Sequence, residues 1–338
     1  MEWVECICLC LGISAGIAGF GISPDSAGRV VMFWNVENFF DSADDPSVAD
    51  DDFTAFGKMR WGRKRFDKKR NAIAKTIISV ADRYGTFPVV VGLAEVENYG
   101  VLWRLVNLTP LSKLGYGIIH MDSRDRRGID VAMLYRKENF KPLCVDFVEV
   151  EMPDTTRHTR LILCCKGVFS DRCEDTVQFI VVHFPSKYGG ERASSPGRVA
   201  ACRTLSSCAD TSCTVIAMGD FNAPFDELAP GLGNFVHVEA FNWKGTVKYR
   251  GEWESIDHFI LGSKNGCRGM PADSALFRSV VYDAPFLLED DAAYLGVKPF
   301  RAYVGPRYNG GVSDHLPVLL IWGSGFREIF TKDEKVTR

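Results

Sequence analysis

Ten polar residues stand at the ends of apolar runs in this chain: Asn35, Glu37, Glu95, Asp130, His183, Asp220, Asn222, Asp257, Asp314 and His315. All are carboxylates, amides or imidazoles, whereas loose turn residues would also include Ser, Thr, Lys and Gly. Groups of these three kinds hold a hard cation by oxygen, orient an anion and move protons. Carboxylates without cysteine point to Mg²⁺, with Mn²⁺ or Ca²⁺ as alternatives, rather than to structural zinc. The stretch AMGDFNAP, residues 217–224, shows the pattern at close range. An apolar run from Thr214 stops at Gly219, and Asp220 and Asn222 follow two residues apart. On an extended chain, residues i and i+2 face the same side. Gly219 would let another backbone approach closely, and Pro224 would stop the strand. Asp, Asn, Gly and Pro are also ordinary turn residues, so the recurrence at many run ends, not this one stretch, carries the reading.

The elements that must position these residues are short. Runs rich in Val and Ile begin near Arg29, Pro88, Arg127, Leu161, Val177, Thr214, Trp253 and Ser313, bounded by turn residues, and read as strands buried in a sheet. Between them, Phe66–Tyr84 places Phe66, Ile73, Ile77, Val80 and Tyr84 on one helical face. Ser195-Pro196 reads as the N-cap and first residue of a second helix, and a shorter one is expected near Val101–Leu108. Strands outnumber helices and helices come between strands, which suggests an α/β arrangement with helices covering packed sheets. Asp41–Asp52 holds six Asp, and Lys58–Arg70 holds eight Lys or Arg against one Asp. That succession reads as a solvated loop feeding an exposed helix face, or else as a phosphate-docking edge. Residues 263–312, rich in Gly, Pro and aromatics, read as a functional rim.

Composition sets the bounds. The chain has 338 residues, 46% hydrophobic and 25% charged, which argues for a large globular core and against disorder. A net charge of −3 gives no global basic field, so any nucleic-acid contact must use a local patch. The eleven cysteines include no CxxC pair and no Cys/His cluster with zinc-site spacing. Most read as small buried hydrophobes, and the adjacent Cys164 and Cys165 should point to opposite faces of a strand. Ile7 to Ile22 is apolar and long enough for a signal-peptide core, yet MEWVE before it carries two acids and no Lys or Arg. Residues 1–28 are expected to be a signal peptide with an atypical start or a disordered leader, with a misplaced start codon as a further explanation of that start. The domain should run from 29 to 325, with 326–338 as a tail. No stable membrane span is expected in the mature domain, location stays open between export and cytoplasm, and no protein partner can be inferred.

WNVEN (34–38), LAEVEN (93–98), RGIDVAMLY (127–135), VVHFPSK (181–187), MGDFNAP (218–224), SIDHFIL (255–261) and SDHLPV (313–318) occur in one order along the chain. In types and order they resemble the endonuclease/exonuclease/phosphatase superfamily, the deoxyribonuclease I-like group, over about residues 30–322. The NFFD extension of the first motif and the GGVSDHLPV ending look most like its uncharacterised bacterial branch. The resemblance implies a four-layer αββα sandwich: two packed, mostly antiparallel sheets flanked by helices. It implies a phosphoester substrate, nucleic acid among the candidates, and a divalent metal. By resemblance, Glu95 is the principal metal ligand, with Glu37 and Asn35 in support and Asp314 a further metal or water ligand. Asp220 orients or deprotonates the attacking water, and Asn222 holds a phosphate oxygen. His315, paired with Asp257, contacts the phosphoryl group, and His183 meets the leaving oxygen or stabilises the transition state. Arg160 is the expected phosphate clamp, with Arg157 as its rival. The Trp-Cys-Asp-Arg motif of inositol-polyphosphate phosphatases is absent, since SIDHFI stands there. A nuclease-like reading leads; a sphingomyelinase-like or small-molecule phosphatase, or a non-catalytic binding module on the same fold, are the alternatives.

Overall fold

The computed structural model describes residues 28–187, 190–233, 235–262 and 277–323. The expected leader, Gly28 apart, and the expected tail lie outside the described residues. In chain order the main elements are β1 (Arg29–Phe39), α1 (Arg63–Tyr84), β2 (Val90–Val96), α2 (Tyr99–Asn107), β3 (Tyr116–His120) and β4 (Asp130–Arg136). There follow β5 (Phe140–Val148), β6 (Ile162–Phe169), β7 (Arg172–His183), α3 (Glu191–Cys208), β8 (Thr214–Asp220) and α4 (Phe225–Leu232). The last strands of the two sheets are β9 (Val236–His237), β10 (Asp257–Gly262), β11 (Phe277–Val281) and β12 (Val318–Trp322).

One six-stranded sheet runs β11-β12-β1-β2-β4-β3, the other β5-β6-β7-β8-β10-β9. Each has one parallel pair, β1–β2 and β7–β8, and is otherwise antiparallel. The alternation of side chains decides the layers. Val31 and Phe33 of β1 face inward with Val131, Met133, Phe179, Val181, Ile216, Met218 and Phe259, forming the core between the sheets. Met32 and Trp34 face outward onto Ile73, Ile77, Leu102 and Leu105 of α1 and α2. On the other side, Ile180, Val182, Val215 and Ala217 meet Cys202, Leu205, Leu228 and Leu232 of α3 and α4. This is the four-layer sandwich. Cys164 sits in the outer layer and Cys165 between the sheets, on opposite faces of β6 as expected. Among the six described free cysteines, three are buried: Cys164, Cys165 and Cys202.

The expected face of α1 is buried: Phe66, Ile73, Ile77, Val80 and Tyr84. The helix stops at Gly85, whose left-handed φ of 70° lets its N–H close on Ala81 O at 2.8 Å. Asn98 caps α2 by accepting from Val101 N at 3.0 Å. α3 differs from expectation. It starts at Glu191, so Pro196 lies inside it and Ser195 is not its cap. The chain turns at Gly190, with φ of 96°, whose carbonyl already accepts from Ser194 N. No helix among the described residues is long and apolar enough to cross a membrane. The acidic loop and the basic start of α1 are mostly solvated, but Asp50 and Lys69 are buried.

Candidate active site

Strand ends of both sheets meet at one edge. In the second sheet, β7 and β8 align His183 with Asp220, and β8 and β10 align Asp220 with Asp257. Three neighbouring strands thus deliver three polar residues in one row. Gly219 allows the close approach: a Cβ there would lie 2.3 Å from Val182 Cγ2 and 2.4 Å from its carbonyl oxygen. In the first sheet the register of β1 on β2 shifts between Asn35 and Phe39, and that of β2 on β4 between Ala94 and Val96. Glu37, Asn38 and Glu95 sit at these irregularities with φ of 48°, 52° and 61°. Left-handed backbone at non-glycine residues costs on the order of 1–3 kcal/mol each and clusters where a side chain must be re-aimed.

The two sheets are joined by polar contacts. Asn35 Nδ2 donates to Asp220 Oδ2 at 3.0 Å, while Asn35 Oδ1 accepts from Glu37 N at 2.9 Å. His315 Nδ1 pairs with Asp257 Oδ2 at 2.8 Å, and its Nε2 lies 3.8 Å from Asp220 Oδ2. His183 Nε2 lies 3.5 Å from the same Asp220 oxygen. The His315 segment is fastened to β1: Trp34 Nε1 donates to His315 O, and Ser313 Oγ donates to Asn35 O while accepting from His315 N. Asp257 Oδ1 and His183 Nδ1 are buried without a hydrogen-bond partner among the described residues.

Electrostatics separate these groups. Burial, then the charge of Asp257, pushes the Asp220 carboxyl up to about 7 against the pull of His315 and Asn35. Burial alone would lower the His315 imidazole, but the charges of Asp257, Asp220 and Asp314 hold it well above the usual histidine range. Burial and the neighbouring Arg160 and Arg127 hold His183 well below that range, so it stays neutral. One buried imidazole is therefore charged and the other is not.

A second group is all carboxylate, faced by one arginine and one lysine. Arg301 reaches Glu37 Oε1 and Asp314 Oδ2, each at 2.9 Å, and Ala302 N donates to Glu37 Oε2. Lys69 Nζ, buried, donates to the carbonyls of Glu37 and Val312. Glu95 Oε2 accepts from Asn38 N at 2.8 Å and lies 3.7 Å from Arg127, which also donates to Asn38 Oδ1. Burial and Asp314 push the Glu37 carboxyl up to about 7, and burial brings the Lys69 ammonium down to about 8. Glu37, Asp314 and Glu95 all act on Lys69 and Arg301, so the three acids form one electrostatic unit.

β8 ends at Asp220 and the chain leaves the extended state, with Asn222 at φ of 53°. The two side chains are neighbours because of this turn, not because a strand continues. Asn222 N bonds to Asp220 Oδ1, and Asn222 Nδ2 donates to Phe184 O at 2.9 Å. Arg160 donates to the same carbonyl at 2.7 Å and pairs with Asp125 at 3.3 Å, leaving its buried Nε without a partner among the described residues. Arg157 is exposed and paired with Asp154. Both arginines line a groove of about 580 Å³ with Arg124, Arg126 and His158. The edge thus gathers Asn35, Glu37, Glu95, His183, Asp220, Asn222, Asp257, Asp314 and His315, with Arg160 linked through Phe184 O. Asp130 does not join them; its Oδ2 accepts from Ser123 N at 3.2 Å. Sequence reasoning missed Lys69 and Arg301. Their only signals were their places in the basic run and in the aromatic stretch.

The family model of the Endonuclease/Exonuclease/phosphatase family matches residues 30–322. No curated protein sequence matches. Among solved structures, truncated TDP2 of Caenorhabditis elegans is similar at 15% identity and TM-score 0.53, over 88% of this chain and 98% of that one. The human Nocturnin catalytic domain is similar at 15% identity and TM-score 0.53, over 88% and 93%. A mannosyl-6-phosphatase of Bacteroides thetaiotaomicron is similar at 17% identity and TM-score 0.52, over 86% and 98%.

Proposed function

The chain belongs to the endonuclease/exonuclease/phosphatase family and is a divalent-metal-dependent phosphoric ester hydrolase; from that premise we propose that it cleaves a phosphodiester, nuclease-like, by in-line attack of water activated by Asp220. The observation that carries this reading is the row His183, Asp220, Asp257 across three strands, closed by His315 at 2.8 Å from Asp257. A carboxyl near 7 is half ionised at neutral pH and suits a general base. Asn35 fixes the orientation of Asp220 by its 3.0 Å hydrogen bond. His315, kept charged by Asp257, donates from Nε2 to a phosphoryl oxygen. His183 is neutral, so it gives a hydrogen bond to developing charge rather than a ready proton. Asn222 and Arg160, tied to one carbonyl, present the remaining donors to the phosphate.

At this edge the metal-capable side chains drawn within 4.8 Å of one another, among the described residues, are Asp220, Asp257 and His315. Glu95, Glu37 and Asp314 add the oxygen donors a hard dication takes, and we assign Glu95 as its principal ligand, Mg²⁺ first among the candidates. When bound, such an ion neutralises charge on the non-bridging and leaving oxygens. The groove holds four arginines, of which Arg124, Arg157 and Arg160 are paired with Glu149, Asp154 and Asp125. A substrate with further anionic groups beyond the scissile one, as a nucleic-acid strand has, would compete with those acids for them. The test is a panel of single-stranded DNA, RNA, bis(p-nitrophenyl) phosphate and p-nitrophenyl phosphate with Mg²⁺, Mn²⁺ or EDTA. Diester cleavage that EDTA stops, fastest on oligonucleotides, is the expected result. Preference for the monoester, as a sugar phosphatase would show, contradicts it.

A second reading has one observation in its favour. Phe241, Tyr294 and Leu295 are exposed around a groove that also holds exposed Lys244, while the side chain of Lys248 at its wall is buried and paired with Asp291 at 2.9 Å. An aromatic rim with a lysine suits a lipid headgroup diester at a membrane surface. Turnover of phospholipid vesicles exceeding that of oligonucleotides would favour it.

A further inference from the structure

A second cluster of metal-ligating side chains lies where β3 ends and β4 begins. His120 closes β3, Asp130 opens β4, and Asp122 stands on the loop between them. One ligand atom from each lies within 4.8 Å of the others. The His120 side chain is 2% exposed and Asp130 3%, while the Asp122 side chain is 75% exposed. Two buried atoms here, His120 Nε2 and Asp130 Oδ1, have no hydrogen-bond partner among the described residues. Leaving such groups unpaired is unfavourable. His120 Nδ1 lies 3.7 Å from Asp122 Oδ1, and a cation among the three side chains would give the buried Asp130 carboxyl a partner. Burial pushes the Asp130 carboxyl up to about 6 and brings the His120 imidazole down, which keeps that imidazole in its neutral, ligating form.

We propose that His120, Asp122 and Asp130 form a divalent-cation site of their own, distinct from the catalytic carboxylates, that takes Zn²⁺ or Mn²⁺. The imidazole nitrogen favours these ions over Mg²⁺ and Ca²⁺, which prefer oxygen throughout. In the sheet order β1-β2-β4-β3, His120 stands two strands from Glu95. Buried ligands close two sides of the site, and exposed Asp122 leaves an entry path.

The site anchors a hydrogen-bonded loop. Ser123 N donates to Asp130, Asp125 N to Ser123 Oγ, and Arg127 N to Asp125 Oδ1. Arg127 then reaches Asn38 and Glu95, and Asp125 holds Arg160. A cation at the root of this loop positions two arginines that face the catalytic edge, without touching substrate.

Neither readout of the test uses turnover, so it fails or succeeds independently of the reaction proposed above. Zn²⁺ binding is titrated calorimetrically into the parent and into Asp122→Ala, whose exposed side chain can be removed without disturbing the core. Asp122→Ala is expected to lose one Zn²⁺ equivalent or to bind it at least about tenfold more weakly. The loop also carries Arg124, Arg126 and Arg127, so Zn²⁺ should slow tryptic cleavage there in the parent and not in Asp122→Ala. His120→Gln should behave as Asp122→Ala does. Equal stoichiometry and affinity in parent and Asp122→Ala, or cleavage unchanged by Zn²⁺ in the parent, would overturn the proposal.

Discussion

The two halves of the candidate catalytic edge manage negative charge in different ways. The half built by the second sheet sets Asp220 and Asp257 against imidazoles, so its charge balance moves with protons. The half built by the first sheet sets Glu37, Glu95 and Asp314 against Arg301, whose charge is fixed, and against Lys69, whose ammonium burial brings down to about 8. A carboxylate that must give and take a proton is best left beside titratable neighbours. One that must receive a cation is best kept among acids whose repulsion neighbouring cations only partly relieve. Burial brings both Asp220 and Glu37 to about 7; their partners distinguish them.

The largest expected effect falls on the proton-handling half. Asp220→Ala and His315→Ala should each lower kcat by about 10³-fold or more with the circular dichroism spectrum unchanged. Loss of less than tenfold in either would break the division. Next is pH. In the proposed mechanism Asp220 works ionised, so kcat/KM should rise tenfold per unit from acid pH and level off near 7. Asn35→Leu removes a hydrogen bond that favours the ionised form, so this limb should move to higher pH; a limb that stays put would detach Asn35 from Asp220.

Arg301→Met sharpens the other half. Removing one fixed cation from three carboxylates should lower the Mg²⁺ concentration for half-maximal activity, by about threefold at moderate ionic strength. An increase would show that Arg301 shapes the site and does not compete with the ion. The smallest effect concerns Glu97, two residues beyond Glu95. Its carboxyl accepts from Asp41 N, and burial pushes it up to about 8. An acid raised in the folded state stabilises it fully below 4.5, and that contribution is lost as pH rises through 8. Glu97→Gln should therefore narrow the Tm difference between pH 5 and pH 9 by about 3 °C; equal differences would refute this.

The strands, the buried face of α1 and the polar strand ends were legible because side-chain period and residue type speak directly to local structure. The pairing of two sheets was not, since β1 and β12 are adjacent across nearly the whole chain; it came from resemblance to a family. The re-aiming of Glu37 and Glu95 rests on register shifts and left-handed backbone, which leave no mark in residue type at those positions. Lys69 was hidden among eight basic residues because burial, not identity, sets it apart. Arg301 meets Glu37 across 264 positions, beyond the reach of any local pattern. The turn at Asn222 defeated the extended-chain argument, although turn residues there had announced it.

The central claim is that the two halves divide the work, one activating water and the other receiving the ion. Calorimetric titration of Mg²⁺ into Asp220→Asn and Glu95→Gln compares them directly. The account predicts wild-type affinity within about threefold for Asp220→Asn and at least about tenfold weaker binding for Glu95→Gln. Equal weakening in both, or none in Glu95→Gln, would contradict it.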